Sequence, residues 1–248
     1  MIRVATYNIR KSVGTDWRRR PDRVLAVLRE IDADVVALQE IDRRFGSRIA
    51  SLSPGDIVEG AGYQPIDFSV RAQSLGWHGN TILVRNGIRV LDTRRLVLPA
   101  LEPRGAVLAD LEIGSRRLRV VGMHLGLLGT WRRKQADAVL DHLEDLEEPL
   151  PTIMMGDLNE WNIWSGCLRH FERHHHIAAP GPSYPSGRPI LPHDRIMTTT
   201  DLGITNAGVH RSALSRIASD HLPVWAEIDL SALPASQSES LAATADAP

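Results

Sequence analysis

The chain has 248 residues, 43% of them hydrophobic, with a formal net charge of -1 and a single cysteine. That is enough apolar residue for one large α/β domain, and a charge near zero gives no global attraction to polyanions, so any phosphate recognition must be local. Cys167 alone excludes an intramolecular disulfide and a cysteine-ligated structural zinc. No apolar run approaches the ~20 residues of a membrane helix, and Met1 directly before the first apolar run leaves no room for a leader; a cytoplasmic monomer is expected.

Ile2 to Asn8 has strand character and is followed by a polar, Arg-rich stretch from Arg10 to Arg20. Val24, Leu25, Val27, Leu28 and Ile31 recur at helical spacing, which predicts an amphipathic helix over Asp22 to Ile31. Asp34 to Leu38 is the next strand, with Glu40 at its tip. Asp42 to Ser74 is irregular, with room for a short helix and a loop. Thr81 to Arg85, Ile88 to Leu98, Gly105 to Ile113 and Arg117 to Gly122 read as strands, with turn signals at Asn86-Gly87 and Gly114-Ser115. Thr130 is a candidate cap for a helix from Trp131 to about Leu146, whose apolar face is Ala136, Val139, Leu140 and Leu143. Thr152 to Met155 is then a strand, so a second strand–helix–strand passage delivers Asp157 and Asn159 as the first delivers Glu40. A short helix near Ser165 to Phe171, the run His174-His175-His176 and a Pro/Gly-rich loop come next. The last two predicted strands, Arg195 to Thr199 and Val224 to Leu230, surround a connection carrying Asp220 and His221. Beyond Ser231 little remains to bury, so residues 231–248 are expected to be a disordered tail after a single domain of residues 1–230.

Five segments, most of them at the ends of apolar runs, carry metal-ligand or proton-transfer side chains. They are Thr6-Tyr7-Asn8, Leu38-Gln39-Glu40, Met123-His124-Leu125, Gly156-Asp157-Leu158-Asn159 and Ser219-Asp220-His221-Leu222-Pro223. Such groups just past several buried strands suggest a site at one edge of a sheet scaffold. Asn8 and Glu40 offer the oxygen donors that Mg²⁺ or Mn²⁺ prefers, although either alone would suit a turn or a solvent-facing strand end. Asp157 and Asn159, two apart, share a face if the segment is extended. A carboxylate could then align or deprotonate a water while an amide donates to a phosphoryl oxygen; an Asx turn is the other reading. Asp194 and His221 suggest a carboxylate–imidazole pair, with the ring either protonated to hold a non-bridging oxygen or neutral to accept a proton. His124 is a second active imidazole or a buried, satisfied ring. Three consecutive histidines, His174 to His176, cannot easily face one ion. Arg18 to Arg20 and Arg132 to Lys134 are solvated surface or the lining of a substrate mouth. Trp17, Trp77, Trp131, Trp161 and Trp164 lie next to these segments and suit core packing, stacking or lipid contact.

In this order the segments resemble the endonuclease/exonuclease/phosphatase superfamily, metal-dependent phosphoesterases with the deoxyribonuclease I-like fold. The resemblance runs from Arg3 to about Ile228. His78-Gly79-Asn80-Thr81-Ile82-Leu83, Glu102-Pro103-Arg104-Gly105 and Ser183-Tyr184-Pro185 leading to His193-Asp194-Arg195-Ile196 also fit. It implies an α/β fold (α+β in some schemes): a four-layer α/β/β/α sandwich, two packed, mainly antiparallel sheets flanked by helices. It implies Asp157, His221, His124, Asn159 and Asp194 as catalytic groups, and Glu40, Asn8 and Asp220 around one or two Mg²⁺ or Mn²⁺ ions. Asn80, Arg104, Arg18 and Arg132 would face the substrate. The expected reaction is hydrolysis of a small or lipid-linked phosphoester, with nucleic-acid cleavage as the alternative. A catalytically silent binding module of the same fold is disfavoured because each position keeps a competent residue. His124 stands where the apurinic-endonuclease branch has a tyrosine and Arg10 where it has an acid. His124 instead resembles the deoxyribonuclease I, sphingomyelinase and inositol-phosphatase branches.

Overall fold

Both faces of the first strand, β1 (Ile2–Asn8), are buried: Val4 packs into one apolar cluster, Ala5 and Tyr7 into another. Alternate side chains leave opposite faces of a strand, so a strand apolar on both must lie between two layers. The computed structural model describes residues 1–44, 46–162 and 166–234, and it has that layered form.

After β1 come α1 (Pro21–Ile31), β2 (Val35–Gln39), α2 (Pro54–Ala61), β3 (Tyr63–Pro65) and β4 (Thr81–Arg85). The antiparallel run β5 (Arg89–Val97), β6 (Gly105–Ile113) and β7 (Arg116–His124) is followed by α3 (Gly129–Glu144) and β8 (Thr152–Asp157). Then come α4 (Leu168–Phe171), β9 (His175–Ile177), β10 (Asp194–Thr199), β11 (Gly203–Val209), α5 (Ser215–Ala218) and β12 (Val224–Asp229). One six-stranded sheet has the order β11-β12-β1-β2-β4-β3, the other β5-β6-β7-β8-β10-β9. Each is mixed: β1–β2 and β7–β8 are parallel, joined by α1 and α3 respectively, and the remaining pairs are antiparallel.

Three apolar clusters fill the spaces between layers. Val4, Val35, Ile82, Val107, Val120, Ile153, Ile196 and Val224 lie between the sheets; Val24, Leu28, Val36 and Leu38 join α1 to the first sheet; Ala136, Val139, Met154 and Phe171 join α3 and α4 to the second. Two-residue alternation extends the inter-sheet face from these residues to the polar strand ends. Val4-x-Thr6-x-Asn8, Val120-x-Gly122-x-His124, Ile153-x-Met155-x-Asp157 and Asp194-x-Ile196 each put the chemically active group on the same face as the core. The two sheets therefore converge on one polar cluster at one end of the sandwich.

Several expected elements differ in detail. Thr130 is not a cap: α3 starts at Gly129 with Leu128 in the cap position, and Gln135 accepts the Gly126 N–H while Arg132 donates to the Gly126 and Leu127 carbonyls, fixing the entry earlier. The region expected to hold two final strands holds three, because β11 is an edge strand with a register shift between Ile204 and Asn206 and lacks an apolar alternation. His175 and His176 belong to edge strand β9, whose register pairs them with Thr199 and Thr198. The short helix begins at Leu168; Trp164 and Ser165 lie outside the described residues. Of the expected tail, residues 231–234 are described, and Leu233 is buried against the inter-sheet core.

Candidate active site

Asp157, at the end of β8, is the hub of the cluster and is 1% exposed. Its Oδ2 accepts from Asn8 Nδ2 at 2.9 Å and faces His124 Nε2 at 3.3 Å and His221 Nε2 at 3.6 Å, while Oδ1 accepts the Asn159 N–H at 3.0 Å. Burial opposes ionisation of this carboxyl, but the His221 and His124 rings and the donors from His124 and Asn8 outweigh it and hold the pKa well below the usual carboxylate range. The Asn8–Asp157 hydrogen bond crosses from one sheet to the other.

His221 Nδ1 donates to Asp194 Oδ2 at 2.9 Å, and the same oxygen accepts from Ser183 Oγ at 2.5 Å. Burial would lower the pKa of this ring; Asp194 and Asp157 overcome it and raise it to about 10. Of the two forms open in the sequence, the paired carboxylates favour the protonated ring. Ligand atoms of Asp157, Asp194 and His221 lie within 4.8 Å of one another, close enough for a metal-ion site. Within the trio, the Asp194–His221 hydrogen bond and the Asp157–His221 approach also make a proton network.

On the other side, Arg104 Nη1 lies 2.8 Å from His124 Nδ1 and 2.6 Å from Nε2. The near-equal distances set the guanidinium against the imidazole ring, whose Nε2 also faces Asp157. Glu40, just beyond β2 with φ 57°, is ion-paired with Lys11, and Asp220 Oδ2 lies 3.3 Å from Arg10 Nε. Since Arg10 and Lys11 are consecutive, the two acids border the same turn. Burial opposes ionisation of Glu40, but His124, Lys11 and Arg104 outweigh it and hold its pKa below the ordinary value. Glu40 and Asp220 keep 25% and 29% side-chain exposure and offer hard oxygen donors, Glu40 beside Lys11 and Asp220 beside Arg10 and the Ser219 hydroxyl, a donor set that suits Mg²⁺ or Mn²⁺. A cleft beside them is lined by Lys11, Glu40, His78, Arg104 and His124 together with Arg43, Arg44 and Arg48.

Two geometric expectations change. Asn159 has φ 50°, so Gly156-Asp157-Leu158-Asn159 is not extended; it closes as an Asx turn, and Asn159 Nδ2 donates to the Leu125 carbonyl at 3.1 Å. Asn8 is engaged at both ends, Oδ1 accepting the Arg10 N–H at 3.0 Å, which leaves one lone pair for any ion. Of the four expected substrate contacts, Arg104 meets the cluster, and Asn80 is buried with Oδ1 unpartnered and Nδ2 donating to Gly105 and Trp77. Arg132 is a buried strut, pairing with Glu160 at 3.1 Å and donating to the Leu127 carbonyl at 2.5 Å; Arg133 and Lys134, the rest of its basic run, are exposed, which hid this role. Arg18 is exposed and touches none of the cluster.

The sequence reading gave no role to Lys11, Ser183, Tyr184, His78 or His193. His193 stacks on Tyr184 with ring centroids 5.0 Å apart; Tyr184 packs against His221 at 4.8 Å. Burial lowers the pKa of His193 and of His78, and His193 Nε2 and His78 Nδ1 have no hydrogen-bond partner among the described residues. Their position inside family-like segments was the available signal. Lys11 carried another, as one of only two lysines in an arginine-rich chain.

Residues 5–221 match the model of the endonuclease/exonuclease/phosphatase family, and the chain belongs to that family. Its architecture is the deoxyribonuclease I-like sandwich. It is 28% identical to the uncharacterized protein YbhP of Escherichia coli strain K12 over 256 aligned residues, covering 92% of this chain and 96% of the relative. Similar solved structures include a mannosyl-6-phosphatase of Bacteroides thetaiotaomicron, with TM-score 0.73, 18% identity and coverage of 93% of this chain and 100% of the other. Another is D. rerio TDP2 complexed with a single-strand DNA product, with TM-score 0.68, 15% identity and coverage of 92% and 98%. No helix among the described residues is long and apolar enough to cross a membrane.

Proposed function

We propose that the protein is a divalent-metal-dependent hydrolase of a small or lipid-linked phosphoester, cleaved by attack of water. The observation that carries this reading is the charge arrangement: the buried Asp157 carboxylate is kept ionised beside the His221 imidazolium, with the Arg104 guanidinium behind His124 and the Glu40 and Asp220 acids at the rim. Glu40 and Asp220, assisted by Asn8, would hold Mg²⁺ or Mn²⁺, which when bound neutralises phosphate charge and stabilises the leaving oxygen.

The His221 and His124 rings and the Asn8 amide favour the ionised form of Asp157. Its role is to accept a hydrogen bond from the attacking water and fix its direction, a contribution of proximity more than of basicity. His221 donates from Nε2 to a non-bridging phosphoryl oxygen as charge reorganises, and Asp194, itself held by Ser183, keeps the ring protonated and oriented. Asn159 retains a second amide hydrogen for a phosphoryl oxygen, and His124, backed by Arg104, serves the phosphate or the leaving group. Asn80, fully buried with its amide on the Trp77 and Gly105 carbonyls, holds the segment that carries His78 in place.

Duplex DNA is expected to be a poor substrate, since recruiting a duplex takes several phosphate contacts outside the site and the net charge here is -1. Arg43, Arg44 and Arg48 on the cleft wall keep cleavage of nucleic acid as the second reading. A panel of phosphodiesters, phosphomonoesters, phospholipid head groups and nucleic acids, with Mg²⁺, Mn²⁺ or EDTA, tests both. Metal-dependent turnover of a compact phosphoester, lost in Asp157→Asn, is expected. Efficient, strongly salt-dependent DNA cleavage would move the assignment to a nuclease, and undiminished hydrolysis in EDTA would refute the metal-dependent mechanism.

A further inference from the structure

We propose that the loops around the active-site mouth form a docking surface for an anionic phospholipid bilayer, so that the site acts on phosphoesters at a lipid surface. The proposal deepens the hydrolase reading and rests on it. Leu101, Leu127, Leu128, Trp161 and Trp17 are exposed, from 55% for Leu128 to 77% for Trp17, although large apolar side chains ordinarily seek cover. Leu127 follows His124 by three residues, Trp161 follows Asp157 by four, and Leu101 precedes Arg104 by three. Chain length alone keeps each of their α-carbons within roughly 10–14 Å of a site residue.

Contacts join most of them into one arc. Leu101 and Leu128 line a common hollow with Trp131. The Arg132 guanidinium donates to the Leu127 carbonyl and lies 5.9 Å from the Trp161 ring. Trp161 in turn neighbours His193, at 6.5 Å between centroids. Trp17 lies against Arg10, which pairs with Asp220 at the metal-binding rim.

Charge on the same loops points to the occupant. Arg18 is next to Trp17, Arg133 opens the helix after Leu128, and Arg188 lies in the loop that also exposes Ile190; all three are exposed and make no ion pair among the described residues. The acids nearby are already engaged, Asp16 by Arg23 and Glu102 by Arg44 and Arg104. Leucines and tryptophans on separate loops, interleaved with free arginines, suit a deformable interface: the apolar groups enter the acyl boundary while the guanidinium groups stay among anionic head groups.

Flotation with vesicles of phosphatidylcholine alone, or mixed with phosphatidylglycerol, tests the proposal in EDTA, where no turnover occurs. Turnover of a water-soluble phosphodiester with Mg²⁺ is measured in parallel. The wild-type protein is expected to float with the anionic vesicles and not with phosphatidylcholine alone. Leu127→Ser/Leu128→Ser and Arg133→Glu/Arg188→Glu should each weaken that binding about tenfold or more, with soluble-substrate turnover unchanged. Leu101→Ser, on another loop, repeats the test if the leucine pair fails to fold. Absence of flotation, binding undiminished in the variants, or a concentration-dependent dimer that the leucine substitutions dissolve would each overturn the proposal, the last by assigning the surface to a second copy. Vesicle binding without turnover of any phosphoester would instead sink the hydrolase reading and leave the docking surface standing.

Discussion

Replacing Asp194 with asparagine removes the charge that holds His221 protonated while preserving shape. Asp194 is fully buried, and its Oδ2 accepts from both Ser183 and His221. Breaking a buried ion pair costs about 3–5 kcal/mol, and an amide oxygen that still accepts both bonds recovers part of that, leaving a deficit of roughly 2–3 kcal/mol. If this deficit falls on the transition state, kcat drops about 100-fold at nearly constant KM. The pH profile provides a second readout. The folded ring has a pKa of about 10, above the roughly 6.5 of an unfolded chain, so its contribution to stability is complete below the lower value and lost as pH rises through the higher. Asp194→Asn should therefore move the alkaline fall in both activity and stability to lower pH. Steady-state kinetics on a chromogenic phosphodiester, for Asp194→Asn, His221→Ala and the double variant, decide the matter. If Asp194 acts through His221, the double variant is no slower than His221→Ala; strictly additive losses, or an unmoved alkaline limb, would refute the coupling.

EDTA should abolish activity, and Glu40→Gln should weaken Mn²⁺ binding in calorimetry while leaving the far-UV dichroism unchanged; normal affinity would exclude Glu40 as a ligand. Gly156→Ala should destabilise the fold by ~3 kcal/mol and lower Tm by about 6–12 °C, since a Cβ would meet the Met123 carbonyl oxygen at 1.9 Å between parallel β7 and β8. An unchanged Tm in thermal unfolding would mean that the strands separate more easily than their packing implies. Cys167 is buried and its thiol is pushed up to about 12 chiefly by burial, so a disulfide reagent should modify it only after denaturant is added; rapid reaction in buffer would contradict that burial.

The layered fold was legible because strands apolar on two faces alternate with amphipathic segments such as Val24 to Ile31. The placement of the candidate site groups was legible where they continue a core face: Asn8 follows Val4 and Thr6, and Asp157 follows Ile153 and Met155, at period two. What the sequence hid depended on contacts between distant segments. Asn159 looked extended beside Asp157 until the Asx turn and the Leu125 carbonyl claimed it. Arg132 looked like surface because its run is basic, and only the partner Glu160, 28 residues on, makes burying it tolerable. Strand β11 escaped notice because an edge strand with one bulge needs no apolar stripe.

The pairing of β1 carries a consequence for synthesis. β1 lies inside its sheet, between β2 and β12, with Ile2 opposite Ile228 and Thr6 opposite Val224. An edge of β1 therefore stays open until β12, more than two hundred residues further along the chain, arrives to cover it. Asn8 and His221 belong to this late-closing part, whereas His124 and Asp157 sit on the parallel pair β7–β8, which is complete much earlier. A nascent chain lacking β12 has the strands of the second sheet but not the closed first sheet, so the Asn8–Asp157 bridge between the sheets should form only after β12 has docked.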